Sequence, residues 1–362
     1  MSRLETLKKA LFHEGFDAAV IMPGTNLFYL TSLNMHTSER VTVAVIPVSG
    51  EPFVVAPLLE AEKVRRITGW PTVYGWADDE GPFHAIQKSF SEHGLKGKNL
   101  ACEYLLMRLL EYTYIKQALD QDVAIGNADP ILESMRASKD QEEVARMEKA
   151  VVCVEAALAA AQQMMKPGVR ENEVSQLLSD TIAAHGGVGG GSVISGERGC
   201  LPHAITSDKP LENGDFVIID IVARYQGYAA DITRTFAIGE PNEELKKIYG
   251  IVYAAQQYCR ENARPGMTGE EIAALCRDHI TAAGYGEYFI HRTGHGLGLE
   301  VHEAPYVVKG NTRPFAVGTT FTIEPGIYVP GLGGVRIEDD AFLIEGGMRS
   351  LTNFPRELIV LA

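Results

Sequence analysis

Two pairs of acidic residues interrupt apolar runs that have the length of β-strands. Asp220 ends the apolar run 216–219, and Asp231 lies beyond a turn expected around Tyr225 and Gln226. A turn symmetric about those two residues places Asp220 directly opposite Asp231. Opposed side chains on paired strands have Cβ atoms about 4.5–5.5 Å apart, and carboxylates that close repel each other unless a cation lies between them. The first pair therefore predicts a cation site.

The second acidic pair repeats this arrangement towards the end of the chain. Glu324 and Glu338 flank a hairpin that is centred on Gly331 and has its loop at 330–334, so the two glutamates face each other. Burying a carboxylate is unfavourable unless it is paired or bound to metal. Each acid taken alone also fits a salt-bridged strand residue, but four acids in corresponding places of two hairpins favour one shared metal site.

Histidines precede both acidic pairs. His295 lies between glycines in the segment 293–298, His302 follows seven residues later, and His203 precedes the first pair. Four carboxylates and a neutral imidazole suit two divalent ions, which in such paired sites lie about 3.5–4 Å apart. His291 is open to two interpretations, because it is close to these residues in sequence and equally compatible with a structural role.

The elements that must position these side chains occur twice. Segments 166–186 and 264–284 align without gaps, and each begins with a basic residue followed by Pro-Gly. Segments 211–220 and 315–324 also align, with a glycine six residues before the acid in both. Long helices are expected before the two copies, over 139–165 and 243–262. We therefore predict a C-terminal domain of two halves, related by pseudo-two-fold symmetry, with a cleft between them.

The first 125 or so residues alternate short apolar runs with amphipathic segments, which is typical of an α/β layer domain. The predicted strands and helices are 17–22, 42–48 and 52–57, and 58–66 and 84–90. The turn-forming residues 126–130 indicate a linker. We expect an α+β protein with an N-terminal α/β domain, 1–130, and a C-terminal domain, 131–362.

Composition limits the function classes. The 362 residues include 47 acidic and 33 basic side chains, a formal net charge of −14. This charge argues against binding to nucleic acid or to an anionic membrane. No stretch of the sequence reaches the roughly 18 apolar residues needed to span a bilayer. The five scattered cysteines lack a CxxC pair, which is typical of the reducing cytoplasm. The first 15 residues form an acid-containing amphipathic pattern, unlike a secretory signal peptide.

Four motifs together resemble the pita-bread metallopeptidases, which include Xaa-Pro dipeptidase (prolidase), Xaa-Pro aminopeptidase, methionine aminopeptidase and creatinase. The motifs are LPHA at 201–204, DFVIIDIVARYQGYAADITRTF at 215–236, HRTGHGLGLEVHEAP at 291–305 and TIEPGIYVPGLGGVRIED at 322–339. The resemblance covers residues 135–362 strongly, and the N-terminal part in size and texture. It implies a creatinase-N-like α/β domain followed by a pita-bread domain.

The resemblance also implies roles for individual residues. It implies that the metal ligands are Asp220, Asp231, His295, Glu324 and Glu338. Asp231 and Glu338 would bridge two divalent ions, of which manganese is the first choice and cobalt, zinc and iron are alternatives. Glu324 would also move a proton, and His302 would donate to the developing oxyanion. His203 and Arg336 would orient the substrate, with Tyr328 beside them.

The implied activity is hydrolysis of the peptide bond before proline in dipeptides or short peptides, by a homodimer. An Xaa-Pro aminopeptidase acting on longer peptides is the main alternative, and a non-catalytic binding module on the same scaffold is another. The retained ligands argue against creatinase, which works without metal, and the added N-terminal domain argues against a plain methionine aminopeptidase. One departure is visible, because Val222 occupies the place of a family glycine. We expect a local shift of the strand there, with no ligand lost.

Overall fold

The computed structural model describes residues 2–119 and 124–362 of the chain. The chain divides into two compact units, Met1–Met135 and Arg136–Ala362. The domain boundary proposed from the sequence, between 130 and 131, lies five residues before this division. The site residues named above all belong to the second unit.

The first unit is an α/β domain built on one six-stranded mixed sheet, with strand order β4-β3-β2-β1-β5-β6. Its elements are α1 (Arg3–His13), β1 (Ala18–Ile21), α2 (Thr25–Thr31), β2 (Val43–Pro47), β3 (Phe53–Pro57), α3 (Leu58–Thr68), β4 (Val73–Trp76), α4 (Phe83–Glu92), β5 (Leu100–Cys102), α5 (Leu109–Leu119), β6 (Ile125–Asn127) and α6 (Asp129–Ala137). Strands β1, β2 and β3 are buried along their whole length, because their apolar residues face helices or other core side chains on both sides of the sheet. The strands and helices predicted for this region are confirmed.

The predicted linker at 126–130 is wrong in part. Strand β6 pairs in parallel with β5, so Gly126 and Asn127 extend the sheet edge. The side chain of Asn127 then accepts the Asp129 N–H at 2.9 Å. An Asn side chain that accepts a nearby N–H is a common helix-start device, so the turn-forming residues here begin α6 directly. Residues 120–123 lie outside the described part of the chain.

The second unit contains four long helices and three sheets. Its elements are α7 (Gln141–Met164), α8 (Glu171–Ala184), β7 (Val188–Ser195), a 3₁₀ turn (Gly196–Cys200), β8 (Phe216–Tyr225), β9 (Tyr228–Ile238), α9 (Glu243–Asn262), α10 (Gly269–Ala282), a 3₁₀ turn (Gly286–Tyr288), β10 (Gly294–Gly296), β11 (Glu303–Val307), β12 (Thr320–Ile323), β13 (Gly326–Val329), β14 (Gly333–Arg336), β15 (Asp339–Ile344), β16 (Gly347–Ser350) and β17 (Ile359–Leu361). Among the described residues, no helix combines the length and the apolarity that a membrane crossing requires.

The predicted internal repeat is present as a repeated set of elements. Helices α8 and α10 each have 14 residues, and each follows a glycine with φ of +91°, at Gly168 and Gly266. The Gly168 N–H donates to Leu211 O at 2.9 Å, and the Gly266 N–H donates to Phe315 O at 2.8 Å. Each copy therefore ties the start of its second helix to the segment that leads into its acid-bearing strand.

The sheets place the two acidic hairpins in the interior of the second unit. One sheet has the order β17-β9-β8-β7, another has the order β11-β10-β12-β15-β16, and β13 pairs with β14. The two hairpin regions are joined by the Glu338 N–H, which donates to Thr233 O at 3.1 Å. Apolar residues of α9 and α10, such as Val252 and Ile280, form a buried core with the second hairpin. The acids therefore lie on strands that are supported by packed helices.

The first hairpin differs in register from the prediction. Asp220 pairs with Thr233, and Asp231 pairs with Val222, so the acids are diagonal neighbours two residues apart on the same face. The cause is the turn, which consists of Gln226 and Gly227 with φ of +49° and +91°. Two successive residues with positive φ form the tight hairpin turn that suits twisted strands, and it lies one residue later than expected.

The second hairpin has the register that was expected. The β12–β15 ladder ends with Ile323 opposite Asp339, and the β13–β14 ladder begins with Gly326 opposite Arg336. Both ladders have the same register, so positions 324 and 338 face each other between them. The second acidic pair therefore lies in a gap between two short ladders.

The expected shift at Val222 is absent. Strand β8 pairs with β7 and β9 in one unbroken register through this position. The glycines lie on the neighbouring strand instead, where a Cβ atom on Gly189 would be 2.1 Å from Val222 O. The glycine run of β7 therefore allows the backbones of β7 and β8 to approach closely at this position.

Candidate metal centre

Each of the five predicted metal ligands lies on a different strand or directly beside one. Asp220 is on β8, Asp231 on β9, His295 on β10, Glu324 directly after β12 and Glu338 directly before β15. The alternating direction of strand side chains places residues two apart on one face. Asp220 and Asp231 therefore lie on the same face of their sheet.

The structure brings these five donors and His302 together in three overlapping groups. Within each group one donor atom per residue lies within 4.8 Å of the others, and the groups are Asp220, Asp231 and Glu338; His295, Glu324 and Glu338; and Asp231, His295 and His302. His295 Nε2 is 3.3 Å from Glu324 Oε1 and 3.9 Å from Asp231 Oδ2. Asp231, His295 and Glu338 each belong to two of these groups, so the donors form one continuous cluster that could hold metal.

His295 presents its outer nitrogen to the cluster. Its Nδ1 lies 3.1 Å from Gly296 O, which accepts the Nδ1 proton and leaves the Nε2 lone pair facing the acids. Burial, followed by the charge of His302, lowers the pKa of His295 to about 3. A neutral imidazole with a fixed tautomer is the form in which histidine binds a metal.

The acids of the cluster are crowded and poorly compensated. Burial, then the charges of Glu338 and Asp220, raise the pKa of Asp231 well above its usual range. Burial raises the pKa of Glu324 to about 7, and burial with the charges of Glu324 and Asp220 raises the pKa of Glu338 well above normal. Close carboxylates that share no cation favour protonation in this way. The donor set therefore lacks positive charge at its centre.

One atom shows directly that positive charge is missing among these acids. Asp231 is only 4% exposed, and its Oδ1 has no hydrogen-bond partner within the described part of the chain. An unpartnered carboxylate oxygen in a buried position is costly unless an ion binds it. Together with the carboxylate and imidazole chemistry of the donors, this shows that the residues fit divalent cations.

Arg336 connects the cluster to a chain of polar side chains. Its guanidinium donates to Asp220 Oδ2 at 2.6 Å, to Tyr328 Oη at 2.8 Å and to Thr233 Oγ1 at 3.1 Å. The Tyr328 hydroxyl lies 3.0 Å from His291 Nε2, and burial lowers the pKa of His291 to about 4. His291 therefore accepts from Tyr328, a contact that is compatible with both interpretations of this residue.

His302 and His203 occupy the exposed side of the cluster. The His302 ring centroid is 4.1 Å from that of His295 in an edge-to-face arrangement. Partial burial, followed by the charge of Arg292, lowers the pKa of His302, and the charge of His203 lowers it further. His203 therefore lies in the electrostatic neighbourhood of His302, and both side chains are accessible to a ligand.

The sequence analysis missed several supporting residues. The Thr233 hydroxyl donates to Glu338 Oε2 at 2.6 Å, and Asp340 Oδ2 accepts the Asp231 N–H at 3.1 Å. Arg292 was not singled out, although its charge acts on His302 and Glu324. Thr233 could have been found, because it lies two residues after Asp231 on the same strand and therefore on the same face. The contacts of Asp340 and Arg292 depend on tertiary structure, which the local sequence does not indicate.

Comparison with known proteins identifies the family. The model of metallopeptidase family M24 matches residues 145–345, and that of the creatinase/prolidase N-terminal domain matches residues 3–138. The chain is 35% identical over 362 residues to the Xaa-Pro dipeptidase of Pyrococcus furiosus, with 99% of each chain covered. The chain therefore belongs to metallopeptidase family M24.

Solved structures resemble the whole chain. A crystal structure of prolidase from Thermococcus sibiricus has a TM-score of 0.93 at 36% identity, covering 99% of this chain and 98% of that one. The X-Pro aminopeptidase from Thermotoga maritima has a TM-score of 0.86 at 32% identity, covering both chains completely. The fold is therefore a creatinase-type N-terminal domain followed by an M24 metallopeptidase domain, as predicted.

Proposed function

We propose that this metallopeptidase is an Xaa-Pro dipeptidase that uses two divalent ions to hydrolyse the bond preceding proline. The observation that carries the proposal is the donor cluster, in which Asp231, His295 and Glu338 each belong to two of three overlapping groups. The preference for proline is inferred from the Xaa-Pro dipeptidase and prolidase that resemble the chain over almost its full length.

Five side chains would hold the ions. They are Asp220, Asp231, His295, Glu324 and Glu338. Ions bound there supply positive charge that polarises the scissile carbonyl and increases the acidity of water. The Thr233 hydroxyl and the Asp340 carboxylate orient Glu338 and the Asp231 backbone, respectively. Partners of this kind fix the direction of metal ligands.

Glu324 and His302 are assigned the proton and oxyanion roles. The Glu324 side chain is 14% exposed, so it can take a proton from the attacking water at its carboxylate and return it to the leaving nitrogen. His302 remains neutral because its pKa is lowered, and a neutral imidazole still donates one N–H. That donor would stabilise negative charge developing on the carbonyl oxygen.

The predicted substrate contacts have unequal support. His203 is exposed beside His302, which supports a substrate contact. Arg336 is 6% exposed, and three of its donor groups are engaged by Asp220, Tyr328 and Thr233. We therefore assign Arg336 and Tyr328 mainly to holding Asp220 in place, and their contact with substrate stays a prediction.

The proposal extends to the metal, the assembly and the location. Manganese is the proposed ion, and cobalt, zinc and iron also accept these ligands. A homodimer is proposed from the family resemblance. The five cysteines are all free, and four of them are buried, which supports a location in the reducing cytoplasm.

Turnover of defined peptides tests the function. Enzyme treated with a chelator is resupplied with manganese, cobalt or zinc and offered Ala-Pro beside Ala-Pro-Ala. Cleavage of the dipeptide alone supports the proposal and identifies the working metal. Preference for the tripeptide would instead support an Xaa-Pro aminopeptidase, the activity named for the Thermotoga maritima structure. Two bound metals with neither peptide cleaved would contradict the proline specificity.

A further inference from the structure

Glu171 is a buried acid outside the metal centre that accepts hydrogen bonds from two separate segments. Its side chain is 0% exposed at the first position of α8. Oε1 accepts from the Ser195 N–H at 2.7 Å and from the Ser195 hydroxyl at 2.8 Å. Oε2 accepts from the Ser207 N–H at 2.9 Å, from the Ser207 hydroxyl at 2.8 Å and from Arg198. One carboxylate therefore holds both ends of the loop 196–206.

That loop carries His203 and has little apolar anchoring of its own. Leu201 is 60% exposed and Ile205 is 82% exposed. Arg198 connects the loop to its own end, because it donates to Ser207 Oγ at 2.8 Å and to Ile205 O. Exposed aliphatic side chains contribute little burial energy to order a loop. The polar clamp around the carboxylate is therefore a main source of order for the segment with His203.

The start of the loop is also close to the metal centre. The backbone around Gly199 packs on β14, where a Cβ atom on Gly334 would lie 2.1 Å from Gly199 O. Strand β14 ends at Arg336, which binds Asp220. A displacement of the loop would therefore move His203 relative to the ligands.

The internal repeat shows that the helix itself does not require Glu171. Both copies have a carboxylate three residues after the N-cap, where Glu173 accepts the Arg170 N–H and Glu271 accepts the Thr268 N–H, each at 2.7 Å. At the position that corresponds to Glu171, the second copy has Gly269. The carboxylate at the first helical position is therefore an addition that serves the loop.

We propose that Glu171 is a positioning residue that holds the loop 196–206 so that His203 meets the substrate. This inference depends on the proposed function, in which His203 contacts the substrate. The five side-chain hydrogen bonds of Glu171 go to Ser195 and Ser207, which flank the loop, and to Arg198 within it.

A double-mutant cycle tests the coupling. The variants are Glu171→Gln, His203→Ala and their combination, with Glu173→Gln as the matched control on the same helix. A glutamine at 173 keeps the capping arrangement, whereas one at 171 replaces an acceptor oxygen by an NH₂ group that faces donors. kcat and KM for Ala-Pro, metal content and hydrogen exchange of the loop are measured on the metal-loaded enzymes.

We expect Glu171→Gln to have a large effect on kcat/KM only when His203 is present. Glu171→Gln should lower kcat/KM about tenfold, mainly through KM, and should lower it less than about twofold when His203 is already alanine, because coupled residues are not additive. Exchange should accelerate in the loop and remain unchanged in β8 and β9, with full metal content and no effect of Glu173→Gln.

Other results would overturn the inference. Equal losses from Glu171→Gln in both backgrounds would mean that Glu171 does not act through His203. An unchanged kcat/KM for Ala-Pro in His203→Ala would remove the proposed role of His203. Because Ala-Pro is still cleaved in that case, the proposed function itself would stand. If Glu171→Gln does not fold, Ser207→Ala takes its place in the cycle, because it removes one donor and leaves the carboxylate.

Discussion

At the scale of single residues, the cluster combines strong donors with uncompensated charge. Asp231 shows this most clearly, because its backbone N–H is bound by Asp340 while its own Oδ1 has no partner in the described part of the chain. The hydrogen bond thus holds the backbone at Asp231 but does not neutralise the side chain. A carboxylate arranged in this way is suited to a cation and destabilises the protein without one.

Replacing this charge should separate metal binding from folding. Asp231→Asn keeps the shape of the side chain, and we expect metal affinity to fall more than about 100-fold, since even the partners of ligands contribute 10–100-fold. Turnover should be lost with it. Isothermal titration with manganese and turnover of Ala-Pro measure both losses. Wild-type affinity in the variant would contradict the assignment of Asp231 as a ligand.

Glu324 should make the metal-free protein less stable as pH rises. Its folded pKa is raised to about 7 by burial, whereas an unfolded glutamate titrates near about 4.3. Between these values the unfolded chain has lost the proton that the folded chain keeps, so the contribution of Glu324 to stability falls with rising pH and levels off above about 7.

Glu324→Gln should reduce the pH-dependent change in the free energy of unfolding by up to about 3 kcal/mol, because one pKa unit corresponds to about 1.4 kcal/mol. Urea denaturation in a chelator at pH 5 and pH 7.5 measures the difference for the wild type and the variant. Glu173→Gln is the control, because that exposed acid is remote from the cluster. Equal slopes in the wild type and Glu324→Gln would show that another group titrates.

At the scale of elements, the first acidic strand depends on the glycines of its neighbour. Strand β7 pairs with β8 along its whole length, and Ser192 lies opposite Asp220. A Cβ atom on Gly189 would be 2.1 Å from Val222 O and 2.8 Å from the Cα of Ala223. Both contacts are with backbone, which cannot rotate away as a side chain can.

Gly189→Ala should therefore destabilise the protein by about 1–3 kcal/mol, the usual cost of overpacking. Gly250→Ala is the matched control, since a Cβ atom there meets no atom within 4 Å and alanine is favoured over glycine inside a helix by about 0.5–1 kcal/mol. Urea denaturation should give opposite signs for the two variants. A neutral Gly189→Ala would mean that β7 is free to move away from β8.

The two hairpins show how far sequence patterns determine an element. The loop centred on Gly331 gave the correct register for Glu324 and Glu338, because glycine and proline mark that turn clearly. The turn of the first hairpin was placed one residue early, because Gln226 adopts a positive φ that its residue type does not indicate. Both acids still reached one face, since a shift of two residues preserves the alternation of a strand.

Other features of the site depend on contacts that periodicity does not encode. The chain from Arg336 through Tyr328 to His291 joins the second hairpin to the segment that precedes β10. Glu171 lies in an amphipathic helix pattern, where an acid in the first turn is ordinary. Its burial follows only from the return of the loop that ends at Ser207, which no local pattern predicts.

At the scale of the whole molecule, all five candidate ligands belong to the unit Arg136–Ala362. Ions that bind the folded state alone stabilise it by mass action, about 2.7 kcal/mol at a concentration 100 times the dissociation constant. For a domain of this size, 1 kcal/mol shifts the melting temperature by about 2–4 °C. Chelation should therefore lower the melting temperature of the metal-binding unit by about 5–10 °C.

Hydrogen exchange locates this effect within the chain. Addition of manganese to the chelated protein should slow exchange in β8, β9 and β12, which carry or adjoin ligands, because the ion joins the two hairpins. Strands β1 to β3 of the unit Met1–Met135 should keep their exchange rates, since none of the five ligands lies there. Asp231→Asn is the control and should show no metal-dependent protection. Equal protection of both units, or protection that persists in Asp231→Asn, would place the stabilising ion outside the cluster.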